Sequence, residues 1–579
     1  MTEPPVQRPV RAIGAVTARL LHAGSPYEIE IADVAGVPTR VWKNAVPTLR
    51  DALEAGKAFG DAPALVYGDE RLTHAEFYRH AATMARRMAE EYGVGKGDRV
   101  ALALRNYPEW VIAYYAAASI GAILVPLNAW WRREELEFGL TDSGARLLVA
   151  DGERIAELGG APARLGLPVI AVRAQGALPE GARPWPEVLG AVEPDAEPPA
   201  AELHPDDPAN IFYTSGTTGR PKGAVGSHRN MISNQISADY ARIRSLMRLG
   251  LDMPDAQAFL DAVGAATVLC TVPLFHTTGA QSVMYPALAK GGALVLMYKW
   301  DPEEALRLIE RERVTAITAV PSMIAQMLAC PRLDEYDLTS LLVLSSGGAP
   351  AAPALVSRAR SGLHELMLGQ GYGLTESSAI ATVNGGSDYL LRPDSAGLPV
   401  AVVDIKVVGP DGTELPPGEV GEVLISGPGI VHGYWNRPKE TAETFKDGWL
   451  HTGDLGRLDE EGFLSIVDRA KDLIIRGGEN VYCAEVEAAV HEHPAVGEVA
   501  VVGVPHEVLG EEVAAVVGLL PGTELTEEEL RAYLEPKLAA FKIPAHMRIV
   551  TRELPRNAAG KLLKKRVKQE FGLAGDGEA

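Results

Sequence analysis

The sequence predicts an α/β protein: a large N-terminal domain of doubly wound α/β layers, a β-barrel subdomain at its end, and a small α+β C-terminal domain. From residue 64 to about residue 400, apolar runs of strand length such as "RVALAL" and "ALVLM" alternate with helical patterns. This alternation is typical of parallel sheets with ligand sites at the strand ends. After residue 400, short alternating strands are separated by "PDG", "PPG" and "EEG" turns, which favours a small barrel or sheet.

Changes in composition along the chain predict the domain boundaries. A proline-rich, acidic stretch from residue 176 to 208 indicates a surface connection between two layers. A second boundary lies near Arg469, after which the pattern runs strand, helix, strand, strand, helix. We expect these limits: an N-terminal domain 1–468, with subdomains of about 1–200, 201–400 and 401–468, and a C-terminal domain 469–579.

The overall charge and the cysteine content exclude several classes of protein. The 579 residues carry a formal net charge of −21, which disfavours binding to a nucleic-acid backbone. The three cysteines, Cys270, Cys330 and Cys483, form no CxxC pair, so neither a disulfide framework nor a cysteine zinc site is supported. The N-terminus has no apolar stretch typical of a secretory signal. We expect a cytoplasmic enzyme.

One uncharged segment, from Trp110 to Trp131, has the length of a membrane span. Gly121, Pro126 and Asn128 interrupt it, which predicts an apolar helix of about a dozen residues followed by a short buried strand. We therefore expect no integral membrane segment.

The stretch "YTSGTTGRPKG", Tyr213 to Gly223, combines glycines, hydroxyl side chains and two cations. Glycine permits tight turns, while hydroxyl groups and backbone N–H groups donate hydrogen bonds, so the loop is suited to holding phosphate. It is not a Walker A loop, because Lys222 is followed by glycine rather than by serine or threonine. The candidate phosphate-binding residues are Thr214, Ser215, Gly216, Thr217, Thr218, Gly219 and Lys222.

This loop resembles the phosphate-binding loop of the adenylate-forming enzymes, the superfamily of acyl-CoA synthetases, peptide-synthetase adenylation domains and luciferases. Two further motifs occur in the order found in that family. "SSGGAP" is similar to the adenine-pocket motif, which assigns Gly348, Ala349 and Pro350 to that pocket. "GQGYGLTES" is similar to the next motif, in which Tyr372 stacks on adenine, Thr375 meets the α-phosphate and Glu376 binds Mg²⁺. A carboxylate shared with phosphate oxygens suits magnesium.

The resemblance continues towards the C-terminus. In "GWLHTGDLG", Asp454 corresponds to the aspartate that holds the ribose, and a carboxylate can accept hydrogen bonds from two vicinal hydroxyls. "DRAKDLIIRGGENVYCAEVE" resembles the junction between the domains, with Arg469 reaching the ribose and Lys471 at the hinge. The resemblance places Gly477 and Gly478 in the loop that meets the pantetheine tunnel. Cys483 is a departure, because relatives usually carry proline there.

Two more motifs supply candidate catalytic residues. "LPRNAAGKLLKK" resembles the C-terminal catalytic motif, which assigns to Lys561 the stabilisation of charge during adenylation. "PLFHTTG" resembles the acyl-pocket motif, in which His276 gates or positions the carboxylate. We expect Lys564, Lys565 and Arg566 to form a solvated face.

Together, these motifs imply an acyl-CoA synthetase that forms an acyl-adenylate from a hydrophobic carboxylic acid and ATP and then a thioester with coenzyme A. The small domain would act as a lid that rotates about Lys471 and withdraws Lys561 between the two steps. Alternatives are an adenylation enzyme that loads a carrier protein, a luciferase-like oxygenase, a relative that uses one half-reaction, and a catalytically silent binder. The expected ligands are a small-molecule carboxylic acid, ATP, Mg²⁺ and coenzyme A, bound by a monomer or homodimer.

The sequence says less about the acyl substrate. Between residues 238 and 268, Ile243, Leu246, Met247 and Leu251 fall on one helical face, a stripe that is more typical of core than of a substrate pocket. The small residues of "SSGGAP" and "GQGYG" leave room for a bulky or elongated acid.

Overall fold

The computed structural model describes residues 11–214, 221–263, 265–348, 353–363, 366–557 and 562–573. The strands are, in chain order, β1 Ile29–Val34, β2 Val37–Trp42, β3 Pro63–Tyr67, β4 Glu70–Thr73, β5 Arg99–Ala103, β6 Ile123–Pro126, β7 Leu147–Asp151, β8 Val169–Val172, β9 Ala182–Pro184, β10 Pro208–Thr214, β11 Lys222–Ser227, β12 Thr267–Cys270, β13 Ala293–Leu296, β14 Ala316–Ala319, β15 Val343–Ser346, β16 Met367–Tyr372, β17 Thr382–Gly385, β18 Leu398–Pro399, β19 Asp404–Val408, β20 Gly421–Ser426, β21 Phe445–Lys446, β22 Trp449–Leu458, β23 Leu464–Arg469, β24 Ile474–Arg476, β25 Glu479–Val481, β26 Val496–His506, β27 Gly510–Leu519 and β28 His546–Val550.

The α-helices are α1 Ile13–Leu20, α2 Leu49–Ala55, α3 His74–Tyr92, α4 Pro108–Ser119, α5 Arg133–Ser143, α6 Gly152–Leu158, α7 Ala161–Arg164, α8 Trp185–Leu189, α9 His228–Arg248, α10 Met253–Val263, α11 Tyr285–Ala289, α12 Pro302–Glu312, α13 Pro321–Leu328, α14 Pro353–Gly362, α15 Ser387–Leu391, α16 Pro438–Thr444, α17 Cys483–His491, α18 Glu527–Leu534 and α19 Lys564–Glu570. A π-helix spans Thr278–Met284, and single 3-10 turns span Gly56–Phe59, Leu333–Glu335, Thr375–Ser377 and Ala540–Lys542.

Two large sheets form the α/β layers that the sequence predicts. The first has seven strands in the order β11-β10-β6-β5-β7-β8-β9, and its strands are parallel except for the β10–β11 hairpin. The second has nine strands in the order β18-β17-β16-β15-β14-β12-β13-β3-β4, with a parallel centre and antiparallel edges. One continuous cluster of buried apolar side chains joins the two sheets. The carboxyl ends of the central strands therefore provide the edge at which ligands are expected.

Most of the apolar segment from Trp110 to Trp131 is buried, whereas Trp130 near its end is exposed. It forms helix α4, which begins with Pro108 at its first turn and is buried on every side, followed by the fully buried strand β6. Trp110 and Tyr114 stack with ring centres 5.1 Å apart. Over the residues described, no helix is both long enough and apolar enough to cross a bilayer.

Helix α9 carries the apolar stripe noted in the sequence. Ile243, Leu246 and Met247 are buried in a second core cluster, with side chains from the strands that follow residue 400. This cluster also receives the N-terminal segment, where Trp42 donates a hydrogen bond to Ser237 Oγ at 3.1 Å. The stripe is therefore core, as predicted, although the N-terminal helix and hairpin that cover it have no clear sequence signal.

After the large sheets, an antiparallel sheet follows in the order β19-β20-β22-β21, with β23 paired to β22. The last sheet has the order β25-β24-β27-β26, with β28 added in parallel to β27. Helices α17 and α18 pack their apolar faces on this last sheet. The predicted order of strand, helix, strand, strand, helix is present, with β25 and β28 as additions, and the basic segment near the C-terminus forms helix α19 as expected.

Candidate active site

The β10–β11 hairpin presents the predicted phosphate loop. Thr214 and Lys222 form the last pair of the hairpin, and Thr214 Oγ1 lies 3.4 Å from the Lys222 carbonyl oxygen. Tyr213 anchors the hairpin, because its hydroxyl donates to Asp142 at 2.8 Å. The tip of the loop, with the candidates Ser215, Gly216, Thr217, Thr218 and Gly219, lies outside the described residues. The two ends of the loop are thus fixed by the sheet.

The adenine motif lies at the ends of two neighbouring parallel strands. β15 and β16 pair in register from Val343 with Met367 to Ser346 with Gln370, so both carboxyl ends meet at one edge of the nine-stranded sheet. Gly348 follows β15 with a φ of +78°, a left-handed backbone that favours glycine. Ala349 and Pro350 lie outside the described part of the chain.

The candidate ribose site is a connected set of three side chains. Tyr372 donates its hydroxyl to Asp454 Oδ2 at 2.8 Å, and Arg469 Nε lies 3.0 Å from Asp454 Oδ1. The register of β22 and β23 pairs Asp454 directly with Arg469. Burial and the neighbouring Asp454 carboxylate raise the pKa of Tyr372 well above its ordinary value. The sequence motifs placed Tyr372 against adenine and Asp454 against ribose, and the structure adds a hydrogen bond that ties the two together.

The candidate magnesium ligand, Glu376, lies in a 3-10 turn directly after β16. Its Oε1 atom accepts a hydrogen bond from the Tyr434 hydroxyl at 2.7 Å, and its carbonyl oxygen accepts one from the Val431 N–H at 3.0 Å. The Lys222 ammonium lies 5.0 Å from the centre of the same Tyr434 ring. Burial, with Glu376 beside it, raises the pKa of Tyr434. Tyr434 therefore links the phosphate loop to the acidic residue, a role that no sequence motif indicated.

The donor set around Glu376 fits Mg²⁺ only in the form that the ion takes with nucleotides. Magnesium commonly uses one or two carboxylates together with phosphate oxygens and water. The residues described contain no group of three or more histidine, cysteine or acidic side chains that could hold a metal without a substrate. Glu376 is half-buried and one of its oxygens is engaged by Tyr434, so the carboxylate is accessible to a phosphate-bound ion.

His276 lies between strand β12 and the π-helix, with its ring 4.8 Å from that of Phe275. Its Nε2 atom is buried without a hydrogen-bond partner among the described residues. Burial lowers its pKa to about 4, so the ring is neutral at pH 7. A neutral imidazole with an open nitrogen can hold or exclude a substrate group, but it is not a charged acid at this pH.

The predicted hinge residue and the small domain contribute fewer contacts to the site. Lys471 is an exposed residue at the start of the last domain, and partial desolvation of its ammonium group lowers its pKa. Gly477 and Gly478 form an exposed turn, and the Gly477 N–H donates to the Leu509 carbonyl of the same small domain at 2.8 Å. The structure therefore does not bring this turn to the ribose residues. Lys561 lies outside the described residues.

A group of polar side chains that no motif indicated lies where strand β23 meets helices α17 and α19. We call this contact the seam; its members are Asp468, Cys483, Glu487 and Lys564. Lys564 of α19 pairs with Glu487 of α17 at 2.9 Å, so the expectation of a solvated face is wrong for Lys564, whereas Lys565 and Arg566 are exposed. Burial lowers the pKa of Lys564, but the Glu487 carboxylate more than offsets it and the net shift is upward.

The hinge strand contributes a further acid to this seam. Asp468 is buried at the end of β23, its Oδ2 lacks a hydrogen-bond partner among the residues described, and burial raises its pKa. Cys483, where a proline was expected, donates its thiol to the Asp472 carbonyl at 3.0 Å. No local sequence pattern could have revealed this cluster, because its members come from strand β23 and from helices α17 and α19.

Comparisons with known proteins agree with this geometry. The family model of the AMP-binding enzymes matches residues 53–435, and the model of their C-terminal domain matches residues 485–561. The chain is 37% identical over 514 residues to a feruloyl-CoA synthase of Amycolatopsis, covering 88% of this chain and 96% of that protein. It is 36% identical over 512 residues to the long-chain-fatty-acid–CoA ligase FadD13 of Mycobacterium tuberculosis, covering 87% and 94%.

A solved structure shows the same architecture. The o-succinylbenzoate CoA synthetase MenE of Bacillus subtilis, in complex with its acyl-adenylate intermediate, superposes with a TM-score of 0.74 at 31% identity, covering 90% of this chain and 98% of that one. The chain therefore belongs to the AMP-binding, adenylate-forming enzymes and is an acyl-CoA synthetase that uses ATP and coenzyme A.

Proposed function

We propose that Asp454 and Tyr372 hold the ribose of ATP and that Lys222 and Glu376 hold its phosphate end. A hydrophobic carboxylate is activated between these two groups. The observation that carries the proposal is the link through Tyr434, which places Lys222 and Glu376 against one ring. Asp454 is bonded to Tyr372, the last residue of strand β16, just before the turn that carries Glu376. A cation and an acid in one group and a hydrogen-bonded carboxylate in a neighbouring group suit a nucleoside triphosphate.

In the first half-reaction, the acyl carboxylate attacks the α-phosphate of ATP and pyrophosphate leaves. Negative charge increases at the reacting phosphate, and fixed cations and hydrogen-bond donors aimed at it lower the barrier. We assign this role to the Lys222 ammonium and the Thr375 hydroxyl in the large domain and to Lys561 in the small domain. Glu376 would hold Mg²⁺, which neutralises the charge on the leaving pyrophosphate when it is bound.

In the second half-reaction, the thiol of coenzyme A displaces AMP from the acyl-adenylate and gives a thioester. Lys561 and the thiol need the same space, so the small domain must rotate between the steps. The exposed turn at Gly477 and Gly478 supports this assignment, because it has still to reach the site in the orientation described. We assign the hinge to Lys471.

The acyl substrate is a hydrophobic acid in this proposal. The relatives named above act on feruloyl and long-chain fatty acyl groups, both of which combine a carboxylate with a large apolar body. His276 is neutral and has an open ring nitrogen, so it would contact the carboxylate as a hydrogen-bond partner without adding charge. The proposed setting is the cytoplasm, with the enzyme as a monomer or homodimer.

A substrate panel tests this function. Purified enzyme is incubated with ATP, Mg²⁺ and ferulic, 4-coumaric, dodecanoic or hexadecanoic acid, and AMP and pyrophosphate are measured with and without coenzyme A. We expect pyrophosphate release with at least one acid and a rise in AMP release when coenzyme A is present. Pyrophosphate release without any effect of coenzyme A would favour carrier-protein loading, and no release with any acid would contradict the proposal.

A further inference from the structure

Helix α9 carries two buried asparagines, Asn230 and Asn234, one turn apart. Positions i and i+4 lie on the same face of a helix, so both amides point towards the same neighbours. Asn230 is 0% exposed and Asn234 2% exposed. A buried amide that donates to a backbone carbonyl fixes that carbonyl firmly, because the bond is shielded from water. These two side chains form what we call the asparagine clamp.

The first residue of the clamp holds the loop that follows β20. The Asn230 side-chain amide donates to the Pro428 carbonyl at 2.6 Å and to the Ile430 carbonyl at 3.1 Å. The next residue of that loop, Val431, donates its N–H to the carbonyl of Glu376 at 3.0 Å. Asn230 is therefore one hydrogen bond removed from the backbone of Glu376.

The second residue of the clamp, Asn234, binds the residue that follows the turn of Glu376. The Asn234 side-chain amide donates to the Ser378 carbonyl. Ser378 directly follows the 3-10 turn Thr375–Ser377 and is fully buried. Asn230 thus holds the loop that bonds to the Glu376 carbonyl, and Asn234 holds the residue that follows the turn.

The backbone at this point is strained. Ser378 has a φ of 54° and Ala379 a φ of 80°, so two consecutive residues with side chains adopt a left-handed conformation. Such conformations are unfavourable away from glycine and persist only where the surroundings enforce them. The Ser378 hydroxyl has no hydrogen-bond partner among the described residues. Its backbone N–H donates to the Thr375 carbonyl at 3.1 Å, and its carbonyl accepts the bond from Asn234, which is the contact that ties the turn to helix α9.

The clamp also reaches the acyl motif. The Asn234 amide lies 3.5 Å from Oε1 of Gln281, which is 1% exposed. Gln281 belongs to the π-helix that begins two residues after His276. One buried amide therefore contacts both the turn of Glu376 and the helix that follows the acyl motif.

We propose that Asn234, supported by Asn230, is a positioning residue that holds the strained turn so that Thr375 and Glu376 face the nucleotide. It acts through the backbone and touches no substrate. This inference rests on the roles proposed above for Thr375 and Glu376. Loss of the amide would let the turn relax. The Glu376 carboxylate would then be oriented to bind Mg²⁺ in a smaller fraction of the molecules.

The test compares Asn234→Ala with Ser237→Ala, a matched control on the same helix. Ser237 is also buried and accepts a hydrogen bond, but from Trp42 of the N-terminal hairpin and away from the turn. Asn234→Ala loses the buried bonds to Ser378 and Gln281, and Ser237→Ala loses the buried bond from Trp42, so the unfolding temperature without ligand should fall in both variants. Pyrophosphate release is measured against Mg²⁺ concentration with dodecanoic and ferulic acid. Separately, the rise in unfolding temperature caused by ATP is recorded with Mg²⁺ and with EDTA, a measurement that needs no turnover.

We expect Asn234→Ala to need about tenfold more Mg²⁺ for half-maximal pyrophosphate release and to lose most of the Mg²⁺-dependent rise in unfolding temperature. Ser237→Ala should keep both. Adding Ser378→Gly to Asn234→Ala should recover part of the loss, because glycine adopts the left-handed backbone without strain. Where Asn234→Ala does not fold, Asn234→Leu fills the same volume without a donor and is measured instead.

Two outcomes are distinguishable. If the wild type releases pyrophosphate but the Asn234 variant has the same Mg²⁺ requirement as Ser237→Ala, the clamp is wrong and the proposed function stands. If the wild type releases no pyrophosphate with any acid, the proposed function itself fails.

Discussion

The proposed nucleotide site of the large domain and the seam beside the proposed hinge are built differently. In the large domain, the candidate ribose and magnesium carboxylates are already paired: Tyr372 and Arg469 both engage Asp454, and Tyr434 engages Glu376. In the seam, Lys564 is paired with Glu487, but Asp468 is buried with an oxygen that has no partner among the residues described.

The difference suggests how one chain can combine a rigid binding site in the large domain with a contact that opens during the reaction. Paired groups hold their geometry because each hydrogen bond would be lost on displacement. A buried carboxylate without a full set of partners destabilises the contact that buries it, so opening that contact relieves this cost. The large domain is therefore suited to hold ATP in place, and the seam is suited to open during the proposed rotation.

The largest effect is expected from replacing Lys561, the predicted catalytic residue of the small domain. Replacing Lys561 with alanine should slow acyl-adenylate formation by about a thousandfold, because a cation aimed at the reacting phosphate is lost. Thioester formation from supplied acyl-adenylate and coenzyme A should be retained. Quantifying pyrophosphate and thioester separately checks this, and Lys565→Ala, an exposed neighbour, is the control. Normal adenylation by Lys561→Ala would contradict the assignment.

The hinge gives the next effect. Lys471→Pro should leave pyrophosphate release intact and reduce thioester formation by about a hundredfold, since proline fixes one backbone angle and the thiol is then poorly placed. The ratio of the two rates is the measurement, with Lys471→Ala as the control that keeps the backbone free. An equal loss of both activities would show that residue 471 is not the hinge.

A smaller effect is expected from the link inside the large domain. Tyr434→Phe removes the hydrogen bond to Glu376 but keeps the ring beside Lys222, so we expect about a tenfold loss in adenylation rate, as is typical for a hydrogen bond to a charged group. The loss should shrink at high Mg²⁺ concentration. Tyr213→Phe, which removes a hydroxyl bond to Asp142 at the base of the hairpin, is a matched comparison. If Tyr434→Phe has wild-type kinetics at all Mg²⁺ concentrations, the link has no role in catalysis.

The smallest effect concerns stability and pH. Burial lowers the pKa values of His228, His276 and His491 to about 4, so the unfolded chain binds more protons than the folded protein between about pH 6.5 and pH 4. Their contribution to stability is present above pH 6.5 and is lost as the pH falls through this range. Burial raises the pKa values of Asp468 and Glu487, which act in the opposite direction and reduce the slope.

The unfolding temperature measured from pH 7.5 to pH 5 checks this expectation. It should decrease by several degrees, and less so in His228→Gln, whose amide can still accept the hydrogen bond that His228 takes from the Leu49 N–H. An unfolding temperature that is constant or rises on acidification would contradict the argument from the histidines.

The fold class and the family could both be predicted from the amino-acid sequence. Strand-length apolar runs and turns depend on local chemistry, and the motif around Tyr372 and Glu376 is contiguous, so both are visible without coordinates. The roles of single residues, including Lys561 and Lys471, remain predictions.

Only the tertiary structure could decide which distant residues meet. Tyr434 joins Glu376 and Lys222 from a loop far along the chain, and Asn234 holds Ser378 from a helix 144 residues earlier. Lys564 is partly buried and paired with Glu487 where its charge had suggested solvent. The physical reason is that a hydrogen bond or an ion pair depends on distance in space. A side chain with no local pattern has nothing in the sequence to mark its partner.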